Sequence, residues 1–162
     1  MQQFDAPECD LMLLLGQASH ALTTELTAGL AEVGITPRGH CVLTHAASGR
    51  RTQSELAELC ALDKTTMVVT LDELERGGLA QRERSSTDRR AHIVAVTSAG
   101  ERALERANAI VAGIYQDVLS MLPPAERTAF VSGLERLVGS RLARPVVCER
   151  PVRRRRERRL VS

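Results

Sequence analysis

Leu11, Leu14, Leu15, Ala18, Leu22, Leu26, Leu30 and Val33 recur at intervals of three or four, the spacing of one face of an α-helix. A long amphipathic helix is expected over 8–33, with Gly34 as its stop. Thr36-Pro37 then offers an N-cap followed by proline at the first helical position. A second helix should run from there to about Ala47, where Ser48-Gly49 breaks the pattern. Thr52 and Glu55 have the spacing of a capping box, so a third helix is expected over 53–60 with Leu56, Ala57 and Cys60 facing inward. Asp63 caps a fourth helix over 64–76, which Gly77-Gly78 ends.

The periodicity then changes. Leu79–Arg84 and His92–Thr97 are short, the second rich in β-branched residues, and they flank the polar run 85–90. They read as a hairpin with a charged tip. Ser98 and Glu101 suggest a further capping box. A long helix should follow over 98–121, with Ala103, Leu104, Ala107, Ile110, Val111, Ile114, Val118 and Leu122 on one side. Pro123-Pro124 interrupts it. A last helix is expected over 124–142 with Phe130, Leu134, Leu137 and Val138, and Pro145 and Pro151 mark the exit into a tail. No internal repeat is visible.

Composition narrows the fold class. The 162 residues are 43% apolar but include no Trp, one Tyr and two Phe. The core must be aliphatic, and scarce β-branched and aromatic residues argue against a sandwich or barrel. The expectation is a mainly α protein with a small β-wing. No apolar run approaches the ~18 residues a membrane span needs. Leu11–Leu15 is too short for a secretion signal and follows acidic residues, so the chain reads as cytoplasmic with no membrane partner. Cys9, Cys41, Cys60 and Cys148 are widely spaced, and reduced thiols are the default.

The net charge of +2 conceals a division. Residues 149–162 hold seven Arg and two Glu, +5; the remaining 15 cationic and 18 acidic residues leave −3. A uniformly basic, histone-like chain is excluded, whereas nucleic-acid binding through a local patch is not.

Such a patch is legible. Helix 53–60, a short turn and helix 64–76 have the length of a helix-turn-helix, and the hairpin would be its wing. A recognition helix brings small polar or basic side chains to base edges from its N-terminal part. Lys64, Thr65, Thr66 and Thr70 supply these, Val69 would meet thymine methyls, and Met67, Val68, Leu71 and Leu74 would anchor the helix. At the wing tip, Arg89 and Arg90 suit the negative potential of a narrow minor groove. Asp88 is an orienter for a guanidinium fork. Arg82 and Arg84 would neutralise phosphates.

With LDELERGGLAQR at 71–82, DRR at 88–90 and VTSAG at 96–100, the chain resembles the multiple-antibiotic-resistance regulator (MarR) family of winged-helix repressors over about residues 8–143. The resemblance implies a winged helix-turn-helix with long N- and C-terminal dimerisation helices. It divides the chain into dimerisation and pocket helices (8–47), the DNA-binding region (48–97), C-terminal dimerisation helices (98–143) and a basic tail (144–162). It implies a homodimeric repressor on double-stranded, pseudo-palindromic DNA, with each Arg90 in a minor groove and Asp88 beside it. Some relatives carry Arg where Val69 stands, which points to a different operator sequence. The apolar stripes of the long helices are then expected to form a core shared between protomers.

The resemblance further implies a small aromatic or phenolic effector between the dimer helices and the winged domain. By analogy, Met12, Gly16, Ser19, His20, His40 and Thr44 would line its pocket. The alternative within the fold is a thiol-based redox switch at Cys9, in the region where some relatives sense peroxide. Against it, Met12 aligns with the reactive position, and Glu8 and Asp10 would raise the thiol's pKa. His40-Cys41 and His45 lie close together without forming a compact ligand motif, so neither a metal site nor a cofactor is expected. No Ser-His-Asp spacing, Gly-rich phosphate loop or paired-carboxylate pattern argues for an enzyme. A winged helix that binds protein instead of DNA is opposed by the Thr65/Thr66 and Asp88/Arg90 sets. The Arg-rich tail reads equally as a solvated end or as additional phosphate contact.

Overall fold

The computed structural model describes residues 10–84 and 92–144. In chain order the elements are α1 (Leu11–Ala31), α2 (Pro37–Ala47), β1 (Arg51–Thr52), α3 (Gln53–Leu59), α4 (Lys64–Arg76), β2 (Ala80–Arg84), β3 (His92–Val96), α5 (Ser98–Ser120) and α6 (Pro124–Gly139). The protein is mainly helical, with one small antiparallel sheet of order β1-β3-β2. Among the described residues no helix is long and apolar enough to cross a membrane. The chain divides into two compact units, residues 1–118 and 119–162.

Local chemistry sets most boundaries. Asp10 accepts from the Leu13 amide at 2.9 Å and starts α1, so the helix begins at Leu11, with its apolar stripe, and not at the expected residue 8. Thr36 caps α2 through the Gly39 amide. Thr52 and Glu55 form the full reciprocal capping box at α3. The cap of α5 is Thr97, not Ser98: its hydroxyl accepts from the Gly100 amide at 3.0 Å and donates to the Gly78 carbonyl at 2.7 Å. That hydroxyl satisfies an orphan helix donor and pins the helix start to the turn before β2.

Three helix ends share one device. After α1, the Ile35 and Gly34 amides return to the Leu30 and Ala31 carbonyls; after α4, those of Leu79 and Gly78 return to Leu74 and Glu75. Gly34 and Gly78 take φ of +69° and +67°, the left-handed residue such a Schellman turn requires. After α3, the Leu62 and Ala61 amides return to Ala57 and Glu58, but the left-handed position is filled by Ala61, at φ 51°.

The core of the first unit joins the end of α1 to α2, α3, α4, the sheet and α5. Leu30, Val42, Leu43, Leu56, Met67, Leu71 and Val94 are its largest fully buried side chains. On α5, Leu104, Ala107 and Val111 belong to the same cluster. That part of the α5 stripe is therefore buried within the chain, contrary to the expectation that the stripe serves a partner. Gly100 sits where a Cβ would lie 2.0 Å from the Leu79 carbonyl oxygen, which explains a glycine within the VTSAG segment. The first turn of α1 differs: Leu11, Met12, Leu13 and Leu14 are all exposed. In the second unit α6 buries no residue, and Phe130, Leu137 and Val138 stand exposed on it.

β1 escapes a pattern-based reading because two residues show no alternation. It pairs Arg51 with Val94 and Thr52 with Ile93, attaching the start of the helix-turn-helix to the wing sheet. β2 and β3 pair from Ala80–Val96 to Arg84–His92.

Candidate nucleic-acid interface

The interface begins at Asp63. Its carboxylate accepts from the Thr66 amide at 2.9 Å and from the Thr66 hydroxyl at 2.7 Å. These two bonds, the backbone one first, hold the Asp63 carboxyl below its ordinary pKa. Thr66 therefore spends its hydroxyl on shaping the helix start. Glu55, in the capping box of α3, is likewise held low by the backbone and hydroxyl of Thr52.

From that cap the helical period sorts the side chains of α4. Met67, Thr70, Leu71 and Leu74 form the buried face. Lys64, Thr65, Val68 and Val69 are exposed. Two expectations change. Thr70 is 3% exposed, and its hydroxyl donates to the Thr66 carbonyl at 2.8 Å; it faces the core and is unavailable to a base edge. Val68 is 41% exposed and is not an anchor. Val69 is 51% exposed, on the outer side as expected.

Arg82 is also reassigned. Its guanidinium donates to Asp72 at 2.7 Å and forms an ion pair with Glu75, while its amide donates to Glu75 at 2.7 Å. The side chain is only 21% exposed. A guanidinium so engaged couples β2 to α4 and is not a free phosphate contact. Arg84, at the far end of β2, is exposed. Arg50 is a cation the sequence reading does not single out; it lies 3.9 Å from Glu83, with its side chain 69% exposed. Its position just before the capping box was the available signal. Asp88, Arg89 and Arg90 lie outside the described residues, as do Cys9 and the basic tail from Pro145.

The six pocket candidates are not gathered into one cavity within the chain. Met12, Gly16, Ser19 and His20 stand exposed along α1, and Thr44 is exposed on α2. His40 is half-buried and shares a 2.7 Å hydrogen bond with Asn108 of α5. The six line neither of two clefts, one of about 370 Å³ between α2, the sheet and the start of α5, the other of about 480 Å³ beside the α3–α4 turn.

A cluster that sequence reasoning missed lies behind that turn. Cys41, His45 and Cys60 bring two sulfurs and an imidazole nitrogen within 4.8 Å of one another, each residue half-buried. Burial, with the hydrogen bond that the Cys60 thiol donates to Cys41, pushes the Cys60 thiol up to about 12. Cys60 is thereby held as a thiol, the unreactive form.

Comparison with known proteins agrees with this architecture. The MarR family model matches residues 33–91. A Thauera aromatica protein assigned as the transcriptional regulatory protein for the hcr operon is 34% identical over 105 residues, covering 64% of this chain. The match spans 63% of that relative, a little under two thirds of its length. The solved structure of the transcriptional repressor CouR bound to a 23-mer DNA duplex is 32% identical, covers 79% of this chain and 92% of its own, and superposes with a TM-score of 0.73. CouR from Rhodococcus jostii RHA1 bound to p-coumaroyl-CoA is 25% identical, covers 86% and 96%, and gives a TM-score of 0.71. With its winged helix-turn-helix and a DNA-bound repressor alike over nearly its whole length, the chain belongs to the MarR family of transcriptional regulators.

Proposed function

We propose that the protein is a homodimeric, sequence-specific DNA-binding repressor, released from its operator by a small aromatic or phenolic effector. The observation that carries the DNA-binding part is the sorting of α4. Its core face is filled by Met67, Thr70, Leu71 and Leu74, while Lys64, Thr65, Val68 and Val69 stand exposed. Threonine hydroxyls read base edges, valine methyls meet thymine methyls, and a lysine neutralises phosphate. Arg84, with Asp88, Arg89 and Arg90 beyond it, would serve the minor groove and its flanking phosphates. That CouR is a repressor bound to DNA supports the reading.

Dimerisation is proposed from the exposed apolar residues. Leu11, Leu13 and Leu14 on α1, and Phe130, Leu137 and Val138 on α6, are surfaces that a soluble chain keeps covered. A partner protomer would cover them. The exposed α1 candidates Met12, Gly16, Ser19 and His20 would then meet a second wall, with His40 and Thr44 nearby. The R. jostii CouR ligand, p-coumaroyl-CoA, carries a phenolic ring, consistent with the effector class. An effector releases DNA only by its differential affinity for the two states.

Selection from a random duplex library tests the reading, with sedimentation of the same sample. The expected result is a dimer that enriches an inverted repeat with half-sites about one helical turn apart. A monomer, or absence of enrichment at low salt, overturns it.

A further inference from the structure

Cys41 and His45 stand one turn apart on α2, so both side chains leave the same face of that helix. Cys60 arrives from the end of α3, 15 residues beyond His45. Two sulfurs and one imidazole nitrogen converge within 4.8 Å. With Zn–S bonds of about 2.3 Å and tetrahedral angles, bound sulfurs lie about 3.8 Å apart. The three donors need close up by only about an ångström, within the reach of small χ1 rotations. We propose that Cys41, His45 and Cys60 form a binding site for a thiophilic divalent metal ion, zinc by preference.

The donor set determines the class. Two thiolates and an imidazole select zinc and its neighbours over magnesium, calcium and manganese, which favour oxygen ligands. Three protein ligands leave the fourth tetrahedral position for water or an exogenous donor. On binding, each thiol exchanges its S–H bond for an S–Zn bond and releases its proton to solvent. The histidine supplies a lone pair, and no electrons are transferred. Lone buried cysteines are ordinary space-filling residues; two of them meeting a histidine that also reaches in is a different arrangement.

Position gives the site a consequence. Cys60 is followed by the left-handed Ala61, by Leu62 and by Asp63, the cap of α4. An ion held by α2 and by Cys60 ties the body of the domain to the turn that presents α4.

The test titrates cobalt(II) alone, as a spectroscopic stand-in for zinc, into the reduced, metal-free full chain. One equivalent per chain should give sulfur-to-cobalt charge transfer and intense tetrahedral ligand-field absorption, and zinc should bleach both. Cys41→Ser, Cys60→Ser and His45→Ala should each weaken binding by more than about 100-fold, since even outer-sphere partners of a metal are worth 10–100-fold. The double variant Cys9→Ser/Cys148→Ser should bind as the parent does. Circular dichroism of the metal-free variants checks folding, and Cys60→Ala replaces Cys60→Ser if the latter does not fold. Absence of charge transfer in the parent overturns the proposal. So does its survival in a folded Cys60 variant, its loss in the Cys9/Cys148 variant, or a protein that forms a Cys41–Cys60 disulfide with dissolved oxygen but, once reduced again, takes up no cobalt.

Discussion

The guanidinium of Arg82 donates to the carboxylate of Asp72 across 2.7 Å, joining the first wing strand to the outer edge of α4. The same side chain pairs with Glu75, and both acidic partners lie one turn apart on the helix. A planar fork can serve two carboxylates at once, which an ammonium point charge does poorly. The two ion pairs tie the wing to the helix.

Arg82→Ala should therefore destabilise the fold by about 1–2 kcal/mol, a charged hydrogen-bond loss discounted for the exposed side of Asp72. It should leave the salt dependence of DNA binding unchanged. Arg84→Ala should do the reverse: stability holds, and the slope of log affinity against log salt falls by about one, the value for one phosphate contact. Urea titration and fluorescence anisotropy over a salt series separate the two. A reduced salt slope in the Arg82 variant would restore it to the phosphate contacts.

Thr70 and Thr65 make a second contrast. Thr70 is buried and bonded within its own helix, whereas Thr65 is exposed at the start of it. Thr70→Val should leave operator affinity unchanged within about 0.5 kcal/mol and change stability by less than about 1 kcal/mol. Thr65→Ala should weaken operator binding by about 1 kcal/mol, one hydrogen bond to DNA. Anisotropy with the selected operator decides; equal losses in the two variants contradict the face assignment.

These residues also mark what the sequence could say. The bounds of α4 were readable because Asp63 and Gly77-Gly78 are strong local signals at either end. Thr70 shares the period of Met67, Leu71 and Leu74, so its burial was implicit; its polar chemistry hid it. The partners of Arg82 lie 7 and 10 residues back in the chain, and only the reversal of direction between α4 and β2 brings them to it. Two of the three members of the thiol–imidazole cluster, Cys41 and His45, lie one turn apart on the expected helix α2. Cys60 joins it through the packing of α2 on α3, which no local pattern encodes.

Ala61 offers a test of strain. It holds φ 51° in the turn between α3 and α4, where its Cβ crowds the backbone and glycine does not. Its side chain is exposed and forfeits little packing if removed. Ala61→Gly should stabilise the protein by about 0.5 kcal/mol, the relief of strain outweighing the greater freedom of the unfolded chain. Denaturant midpoints measured at constant slope give the answer, and a net loss of stability would show the turn to be unstrained.

Asp63 and Glu55 make the helix-turn-helix sensitive to acid. Both carboxyls are held below their ordinary range by the amides and hydroxyls they cap. In the unfolded chain they titrate near 3.9 and 4.3. The folded form therefore binds fewer protons in this window, and its stability rises with pH. The contribution is fully present above the unfolded values and is lost as pH falls through the lower folded ones. Asparagine caps a helix about as well as aspartate but does not titrate. Asp63→Asn should thus match the parent more closely at pH 2 than at pH 6, with a shallower fall in denaturant midpoint between them. Urea titrations across that range measure it. Parallel pH profiles for variant and parent would mean that the Asp63 carboxylate carries no acid-linked stability at the start of α4.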